Sequence, residues 1–214
     1  MRTTLELPHI LYIILTGVTS HSGLGYNRAV LFLLNEQKNR LECQMAIGPK
    51  SGEHASKIWE YIDKENQNLD DLIRAEKVKE TYSESALFHE LKGLEFPLDR
   101  TDFLLVQAFQ RAVPWHLTPE ETAAHRDDPL LNVFQTEELI IMPLKSKDAV
   151  NGLIVADNIY TKKPISEGDV RFFTMLANQA GLAIENSRLF EMVVQQSQTD
   201  ALTRLWNHGY FQKT

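Results

Sequence analysis

The sequence predicts an α+β fold in which helices cover an antiparallel sheet, and three features support this. Residues 27–48 and 137–160 each contain two apolar stretches around a short polar turn, the pattern of a β-hairpin. Residues 165–198 contain no proline and predict one long helix. Because strands joined by short turns are antiparallel, the helices are expected to pack on the faces of that sheet.

The N-terminal segment predicts a helix that packs against the core. Its apolar side chains recur at helical spacing, at Leu7, Leu11, Ile14 and Val18. A basic start and an apolar middle also resemble a signal peptide, but Glu6 and His9 interrupt that pattern and no small-residue cleavage site follows. The apolar run is far shorter than the roughly 20 residues that cross a bilayer. We therefore expect a cytoplasmic protein with no membrane segment in this chain.

The middle of the chain is the least regular part. Two stretches after the first hairpin predict helices, over residues 53–65 and 68–85. Further on we expect a short strand in 91–98, a helix in 102–113 and a loop over 114–129, because three prolines interrupt that last stretch.

Composition restricts the partners of the protein. The formal net charge is −7, whereas phosphate binding needs a clustered basic surface, so we expect no nucleic-acid partner. Cys43 is the only cysteine in the sequence, which excludes an internal disulfide and indicates a reducing compartment.

The C-terminal half resembles a known family. LIIMPLKSKDAVNGLIVADN, followed by ISEGDVRFFTMLANQAGLAIENSRLF, is similar to the closing hairpin and final helix of GAF domains, the sensory modules of bacterial signalling proteins and phosphodiesterases. The resemblance covers about residues 5–195. It implies an antiparallel sheet of five or six strands, helices on both faces and a long C-terminal helix. We therefore assign residues 1–195 to a GAF sensory domain.

The last residues resemble the start of a different domain. DALTRLWNHGYF, at residues 200–211, is similar to D-x-L-T-x-L-x-N-R-R-x-F, the entry sequence of GGDEF diguanylate cyclase domains. His208 and Gly209 stand where that family usually has two arginines. The signature loop, metal-binding aspartate and guanine contacts of that family lie further on, and none is present in these 214 residues. Residues 196–214 are therefore expected to be a linker and the truncated start of a GGDEF domain.

Aromatic side chains are concentrated where the GAF resemblance implies a ligand pocket. A wall of this kind suits an unknown small planar or apolar molecule, and no cofactor is indicated. The alternative is that the rings plug the sheet themselves, as aromatic residues in a loop-rich cover usually do. The candidate pocket residues are Phe88, Phe96, Phe103, Phe109, Trp115, His116 and Phe134.

Neither a metal site nor a catalytic centre is predicted. No two of the seven histidines stand four residues apart on a predicted helix, so His89, His116 and His125 are expected to be solvated loop residues. Some GAF proteins reduce free methionine sulfoxide, which requires a nucleophilic thiol and a resolving partner. Cys43 has no second cysteine to resolve it, and we interpret it as structural.

Arg28 and Asp157 are predicted to form an ion pair. Arg28 opens the first strand and Asp157 closes the last. In a GAF sheet these strands are antiparallel neighbours, so the resemblance implies that the two side chains lie close together. We expect a structural pair rather than a ligand contact.

The long helix offers a seam for a second copy of the chain. Its steps alternate between three and four residues, the heptad pattern of a dimer stalk, at Phe173, Leu176, Ala180, Ala183, Ser187, Phe190 and Val194. Phe172, Leu182 and Ile184 would then face the domain's own sheet. A helix that only packs on its own domain is the alternative, but the charge-poor MVVQQSQ after Glu191 favours the stalk.

These features predict a cytoplasmic GAF module that forms a homodimer, responds to an unknown small molecule and controls a C-terminal diguanylate cyclase. The catalytic part of that cyclase is missing from this chain, so the fragment itself is not expected to be an enzyme. Two alternatives stay open. One is a ligand-free dimerisation spacer, and the other is a small-molecule redox enzyme of GAF fold.

Overall fold

A computed structural model of the protein describes residues 7–20, 23–49, 86–147 and 149–198. Within these residues, six strands form one antiparallel sheet. The strands are β1 (Arg28–Asn35), β2 (Arg40–Ile47), β3 (Phe96–Pro97), β4 (Trp115–Leu117), β5 (Leu139–Ser146) and β6 (Ala149–Asp157). They lie side by side in the order β3-β2-β1-β6-β5-β4. The predicted antiparallel sheet is confirmed.

The two predicted hairpins, β1–β2 and β5–β6, meet along the centre of the sheet. There β1 pairs with β6, and Leu31 lies opposite Ile154. Residues 28–32 of β1 are buried on both faces, which explains their nearly continuous apolar run. The two short strands β3 and β4 pair with the outer sides of β2 and β5 and complete the edges.

Helices cover both faces of the sheet, as predicted. They are α1 (Leu7–Thr19), α2 (Ala86–Lys92), α3 (Leu104–Arg111), α4 (Pro119–Ala124), α5 (Pro129–Phe134) and α6 (Glu167–Gln198). α1 and α6 pack on one face, where Leu15 and Phe173 are fully buried. α2, α3 and α5 pack on the other, around Phe32 and Phe96. None of the helices in the described parts of the chain is long and apolar enough to span a membrane.

The structure corrects the loop predicted over residues 114–129. The strand predicted in 91–98 and the helix predicted in 102–113 are present as β3 and α3, but the supposed loop contains β4 and α4. Prolines at the first position of a helix start it rather than break it. At α4, Thr118 and Glu121 form a capping box around Pro119. The helices predicted over 53–65 and 68–85 lie outside the described residues.

Asp128 holds the beginnings of two helices. Its Oδ1 accepts a hydrogen bond from the backbone N–H of Leu130 at 2.8 Å, at the start of α5. Its Oδ2 accepts one from the backbone N–H of Leu104 at 2.8 Å, at the start of α3, where Phe103 provides no side-chain cap. Burial raises the pKa of Asp128, and these backbone hydrogen bonds act against that shift. One carboxylate thus joins two helices that cover the same face of the sheet.

Replacing either of two buried isoleucines should test the cores on the two faces separately. Ile141 belongs to the core beneath α3 and α5, and Ile154 to the core beneath α1 and α6. Ile141→Ala and Ile154→Ala should each lower the free energy of unfolding by about 2–5 kcal/mol, because each removes buried apolar groups and leaves a cavity. Val113→Ala, at a half-exposed position, should change it by less than about 0.5 kcal/mol. Denaturant midpoints that stay unchanged in both isoleucine variants would contradict this assignment of the core.

Candidate functional site

Arg28 and Asp157 form a buried ion pair where β1 begins and β6 ends. The Arg28 Nε donates to Asp157 Oδ1 at 3.1 Å, and Nη2 donates to Oδ2. Nη2 also donates to the carbonyl oxygen of Phe134, at the end of α5. The rings of Phe134 and Tyr160 lie 5.0 and 6.0 Å from the guanidinium carbon. These contacts join two central strands to a covering helix of the same domain.

The electrostatics of this pair depend on its burial. Burial raises the pKa of Asp157, whereas the hydrogen bonds and positive charge of Arg28 oppose that shift. Both side chains are almost completely removed from solvent. A charge left without its partner here would therefore be unfavourable, which makes the two residues mutually dependent.

Two of the aromatic residues predicted to line a pocket fill the core instead. Phe96 and Phe134 are completely buried. The ring of Phe96 contacts those of Phe32 and Phe103 edge to face, at centroid distances of 5.6 and 5.9 Å. Short helices cover these rings on the sheet, so Phe96 and Phe134 expose no surface to a ligand. The prediction that these two residues line a pocket is therefore wrong. They plug the sheet, which was the alternative.

The other predicted pocket residues lie at separate places, and His116 is on the face of the sheet that α1 and α6 cover, because it pairs with Ile140 of that core. Trp115, on the edge strand β4, is covered by Arg111, whose guanidinium carbon lies 3.7 Å from the ring centroid. His116 is half-buried, and its Nε2 lies 2.6 Å from a carboxylate oxygen of Glu138. Phe109 is half-buried on α3. These side chains do not converge on one cavity.

Phe88 borders an open depression of about 430 Å³ between β2 and α2. Arg40 and Glu42 form one side of it and are joined by a hydrogen bond of 2.7 Å. On the other side, the Lys92 ammonium lies 5.8 Å from the centroid of the Phe88 ring. The remaining lining residues are Cys43, Gln44, Leu94 and Glu95.

The lining of this depression is mainly polar and of mixed charge. Hydrogen bonds from Asn35 and then Arg40 lower the pKa of Glu42 to about 2, so this carboxylate is ionised throughout the physiological range. The polar residues of this lining were not predicted from the sequence, because charged positions on a strand also fit an ordinary solvent-facing side. The sequence contains a signal for two of them, because Arg40 and Glu42 are two residues apart on the predicted strand and therefore share a face.

α6 lies very close to the end of β5. A Cβ at Gly181 would lie 2.1 Å from the carbonyl oxygen of Lys145, so glycine is required for this approach. Around that point Phe173, Ala177 and Ile184 face the core and are buried. The sheet thus determines which side of α6 faces inward.

This orientation corrects the heptad assigned to α6 from sequence. Phe173 and Ala180 are completely buried in the domain's own core, so they are not available to a second chain. Leu176 lies beside α1, where a Cβ at Gly17 would be 3.8 Å from its Cδ1. Conversely, Phe172 and Leu182, which were expected to face the sheet, are exposed.

The remaining members of that heptad have other positions. Ala183 and Ser187 are half-buried, and Phe190 is exposed. The side chain of Val194 lies outside the described residues.

Arg188 is the last contact between α6 and the sheet among the described side chains. Its Nη1 donates to Glu36 at 3.0 Å and to Asn151 at 3.1 Å, and its Nη2 donates to the carbonyl oxygen of Leu34 at 3.0 Å. Residues 189–193 beyond it are exposed. α6 therefore continues past the domain after this contact.

The model of the GAF domain family matches residues 6–184. The chain belongs to the GAF domain family. Among curated proteins, no sequence matches it. Solved structures show the same GAF fold at low sequence identity, which supports the fold and no specific function.

Two of these structures are parts of larger proteins. A methyl-accepting chemotaxis protein fragment is 16% identical, with a TM-score of 0.59, covering 88% of this chain and 94% of its own. The GAF domain of a phosphoenolpyruvate-protein phosphotransferase from Coxiella burnetii is 12% identical, with a TM-score of 0.58, and 89% of each chain is covered.

A third structure of GAF fold is an enzyme. The free methionine-R-sulfoxide reductase from Neisseria meningitidis, in complex with its substrate, is 15% identical with a TM-score of 0.53, covering 86% of this chain and 83% of its own. In the present GAF domain, Cys43 is buried, and burial raises the pKa of its thiol to about 12. A thiol in this state is a poor nucleophile.

The histidines show no metal-binding arrangement in the described parts of the chain. His89 is exposed on α2, and His125 Nδ1 lies 2.8 Å from the carbonyl oxygen of Glu121. Within the described residues, no group of three or more His, Cys, Asp or Glu side chains is placed to hold a metal ion.

A double-mutant cycle should show strong coupling between Arg28 and Asp157. Arg28→Met or Asp157→Asn alone should lower the free energy of unfolding by about 3–5 kcal/mol, because each leaves a buried group unmatched. The double variant should lose clearly less than the sum of the two single losses. Denaturant unfolding of the four proteins measures this. The exposed pair Arg100–Asp102 is the matched control and should show no measurable coupling. Additive losses at Arg28 and Asp157 would contradict the pairing.

Proposed function

We propose that this chain is a cytoplasmic sensory GAF module that works as a pair and controls a C-terminal diguanylate cyclase. The resemblance of residues 200–211 to the entry sequence of GGDEF domains supports the identity of the output. A sensory role is supported by the family itself and by the occurrence of the fold in a chemotaxis protein and a two-component sensor histidine kinase of Bacillus halodurans, which is 14% identical.

The observation that carries this proposal is the continuity of α6. Its first turns pack against β5 and α1, and its last described turns leave the domain after Arg188. One rigid element therefore connects the sheet to the segment that precedes the GGDEF-like sequence. A displacement of the sheet would move this helix and whatever follows it.

The depression between β2 and α2 supports a small polar effector. Its volume of about 430 Å³ is within the range of ligand sites. Cationic and anionic groups stand on its rim, at Arg40, Lys92, Glu42 and Glu95. A zwitterionic small molecule would match both signs of charge, in place of the apolar ligand expected from the aromatic residues.

A ligand-free spacer is the second candidate, and one feature of the core favours it. Phe96 and Phe134 close the space that the aromatic residues were expected to line. A GAF domain plugged in this way would hold two output domains together without responding to a molecule. A redox enzyme is disfavoured by the burial of Cys43, and we propose no enzymatic activity for this chain.

Filling the depression should alter the output of a longer chain that includes a complete GGDEF domain. Gln44 is exposed and borders the depression, so Gln44→Trp places an indole there without disturbing the core. Cyclic di-GMP production from GTP and magnesium, followed by chromatography, should change by about fivefold or more, which is a usual size for coupling between two sites.

Val113→Trp, at an exposed site away from the depression, is the matched control and should leave the rate unchanged. Native mass spectrometry of the present chain should show a small molecule retained by the unsubstituted protein and by Val113→Trp, but not by Gln44→Trp. If the unsubstituted chain retains no small molecule and Gln44→Trp leaves the rate of cyclic di-GMP production unchanged, the sensor is rejected in favour of the spacer. The present chain alone should make no cyclic di-GMP.

A further inference from the structure

We propose that the outer face of α6 binds the same face of a second copy as a parallel, in-register, two-stranded coiled coil. This inference rests on the proposed pairing and specifies its surface and orientation. It concerns a stripe that lies one residue before the heptad assigned from sequence.

The stripe has the spacing and exposure of an unpartnered seam. Its apolar members are Phe172, Met175, Leu182, Leu189 and Val193, which are between 41% and 64% exposed. Gln179 and Asn186 complete the alternating steps of three and four residues, and both are exposed. The seven positions of the stripe span 22 residues, which is about 33 Å along the helix. Single exposed apolar residues are ordinary, but a heptad stripe of this length is the signature of a coiled-coil partner.

This stripe lies directly opposite the side that is buried in the domain. At about 100° per residue, Phe173, Ala177, Ala180 and Ile184 cluster on one side of the helix, and the stripe is centred about 180° away. A partner helix would therefore approach from solvent and not displace the sheet. The domain can remain intact while the stripe is covered.

The two amides in the stripe identify a second copy as the occupant. They stand at the a positions Gln179 and Asn186, with Leu182 between them at a d position. An unrelated apolar helix would bury both amides without hydrogen-bond partners, at a cost in binding free energy. A second copy places each amide against the same amide, where both can be satisfied.

The same amides select the parallel orientation. In the antiparallel pairing that aligns the two stripes, Asn186 would face Met175 and Gln179 would face Leu182 of the second copy. Both amides would then be unpaired. In the parallel pairing Asn186 faces Asn186, and a buried asparagine at an a position is known to fix register and two-stranded assembly. Val193 at a, with Leu189 at d, also favours two strands.

Charges beside the stripe do not oppose a parallel pair. Arg171 and Glu185 occupy g positions. In the parallel arrangement they would lie near the e positions Leu176 and Phe190 of the second copy, so no like charges face each other there. The parallel arrangement also brings both Gln198 residues to the same end.

Disulfide trapping should report the orientation. In a Cys43→Ala background each introduced cysteine is unique. Met175→Cys and Leu189→Cys should each form an intermolecular disulfide under mild oxidation, because equivalent d positions adjoin in a parallel pair. In the antiparallel alignment two copies of residue 175 would be about 16 Å apart, too far to bond. Val113→Cys, exposed elsewhere, should stay unlinked at the same concentration.

Sedimentation should test the surface and the amide. The unsubstituted chain should sediment at twice the chain mass, and Leu182→Glu should raise the dimer Kd at least about 100-fold, because it buries two like charges. Val113→Glu should leave the Kd unchanged.

The Asn186→Leu chain should dimerise more tightly but lose specificity, giving larger assemblies or a fall in the Met175→Cys disulfide. Asn178→Leu, the same change beside the seam, should have neither effect.

Three outcomes would overturn the inference. If Met175→Cys and Leu189→Cys both stay unlinked while the chain sediments as a dimer, the pair is not parallel; this orientation fails while a paired sensor stands. A monomer would contradict a second copy on the stripe, and the proposed pairing would fail with it. Asn186→Leu dimers that stay two-stranded and parallel would remove the role of the amide. Ligand retention in native mass spectrometry is independent of all three.

Discussion

The close approach of α6 to the sheet at Gly181 determines what the rest of this helix can do. A side chain at that position would collide with the backbone of Lys145, so glycine allows the helix to lie directly on β5. That contact sets the rotation of α6 about its axis. One residue corresponds to about 100° of rotation, so a shift of two residues, about 200°, would exchange the buried and exposed faces. The outward stripe is thus a consequence of the packing on the sheet.

A second constraint acts at the opposite end of the central strands. The buried Arg28–Asp157 pair joins β1, β6 and the end of α5, and Asp128 joins the starts of α3 and α5. These polar contacts hold the covering helices at defined places without contributing a reactive group. They explain why a face rich in aromatic residues is filled rather than hollow.

A short path joins the depression to α6. Glu42, on the rim, accepts a hydrogen bond of 3.0 Å from Asn35, at the end of β1. The adjacent residue Leu34 accepts the hydrogen bond from Arg188, and Glu36 also contacts Arg188. A molecule that altered the ionic contacts of Glu42 would act on the strand end that holds α6. This contiguity supports the proposed transmission, through charged residues rather than the aromatic ones.

The sequence predicted the elements whose signals are local and repeated. Apolar stretches around polar turns located both hairpins, the spacing of apolar residues located α1, and the long stretch without proline located α6. The pairing of Arg28 with Asp157 came from the family resemblance, because no local pattern relates residues so distant in the chain. α4 was missed although Thr118, Pro119 and Glu121 carry the signal of a helix start.

The side of α6 that faces the sheet could not be predicted from the sequence. Phe172 and Phe173 are adjacent, and each begins a mainly apolar heptad pattern along the same helix. The packing against β5 and α1 decides between the two heptads. That decision depends on the tertiary contacts of Gly181 and Leu176, which a helical periodicity does not contain. The same limit applies to the aromatic residues, because a group of aromatic side chains fits both the wall of a ligand pocket and a plug that fills the core.

Methionine oxidation in the unsubstituted protein tests the outer face of α6 most directly. Met175 lies on the stripe and is 64% exposed, whereas Met142 is completely buried in the core. Peroxide oxidises accessible methionines to sulfoxides, which mass spectrometry quantifies residue by residue. With increasing protein concentration, oxidation of Met175 should slow sharply as the second copy covers it, while Met142 stays protected throughout. Oxidation of Met175 at one unchanged rate across dilute and concentrated protein would contradict a partner on this face.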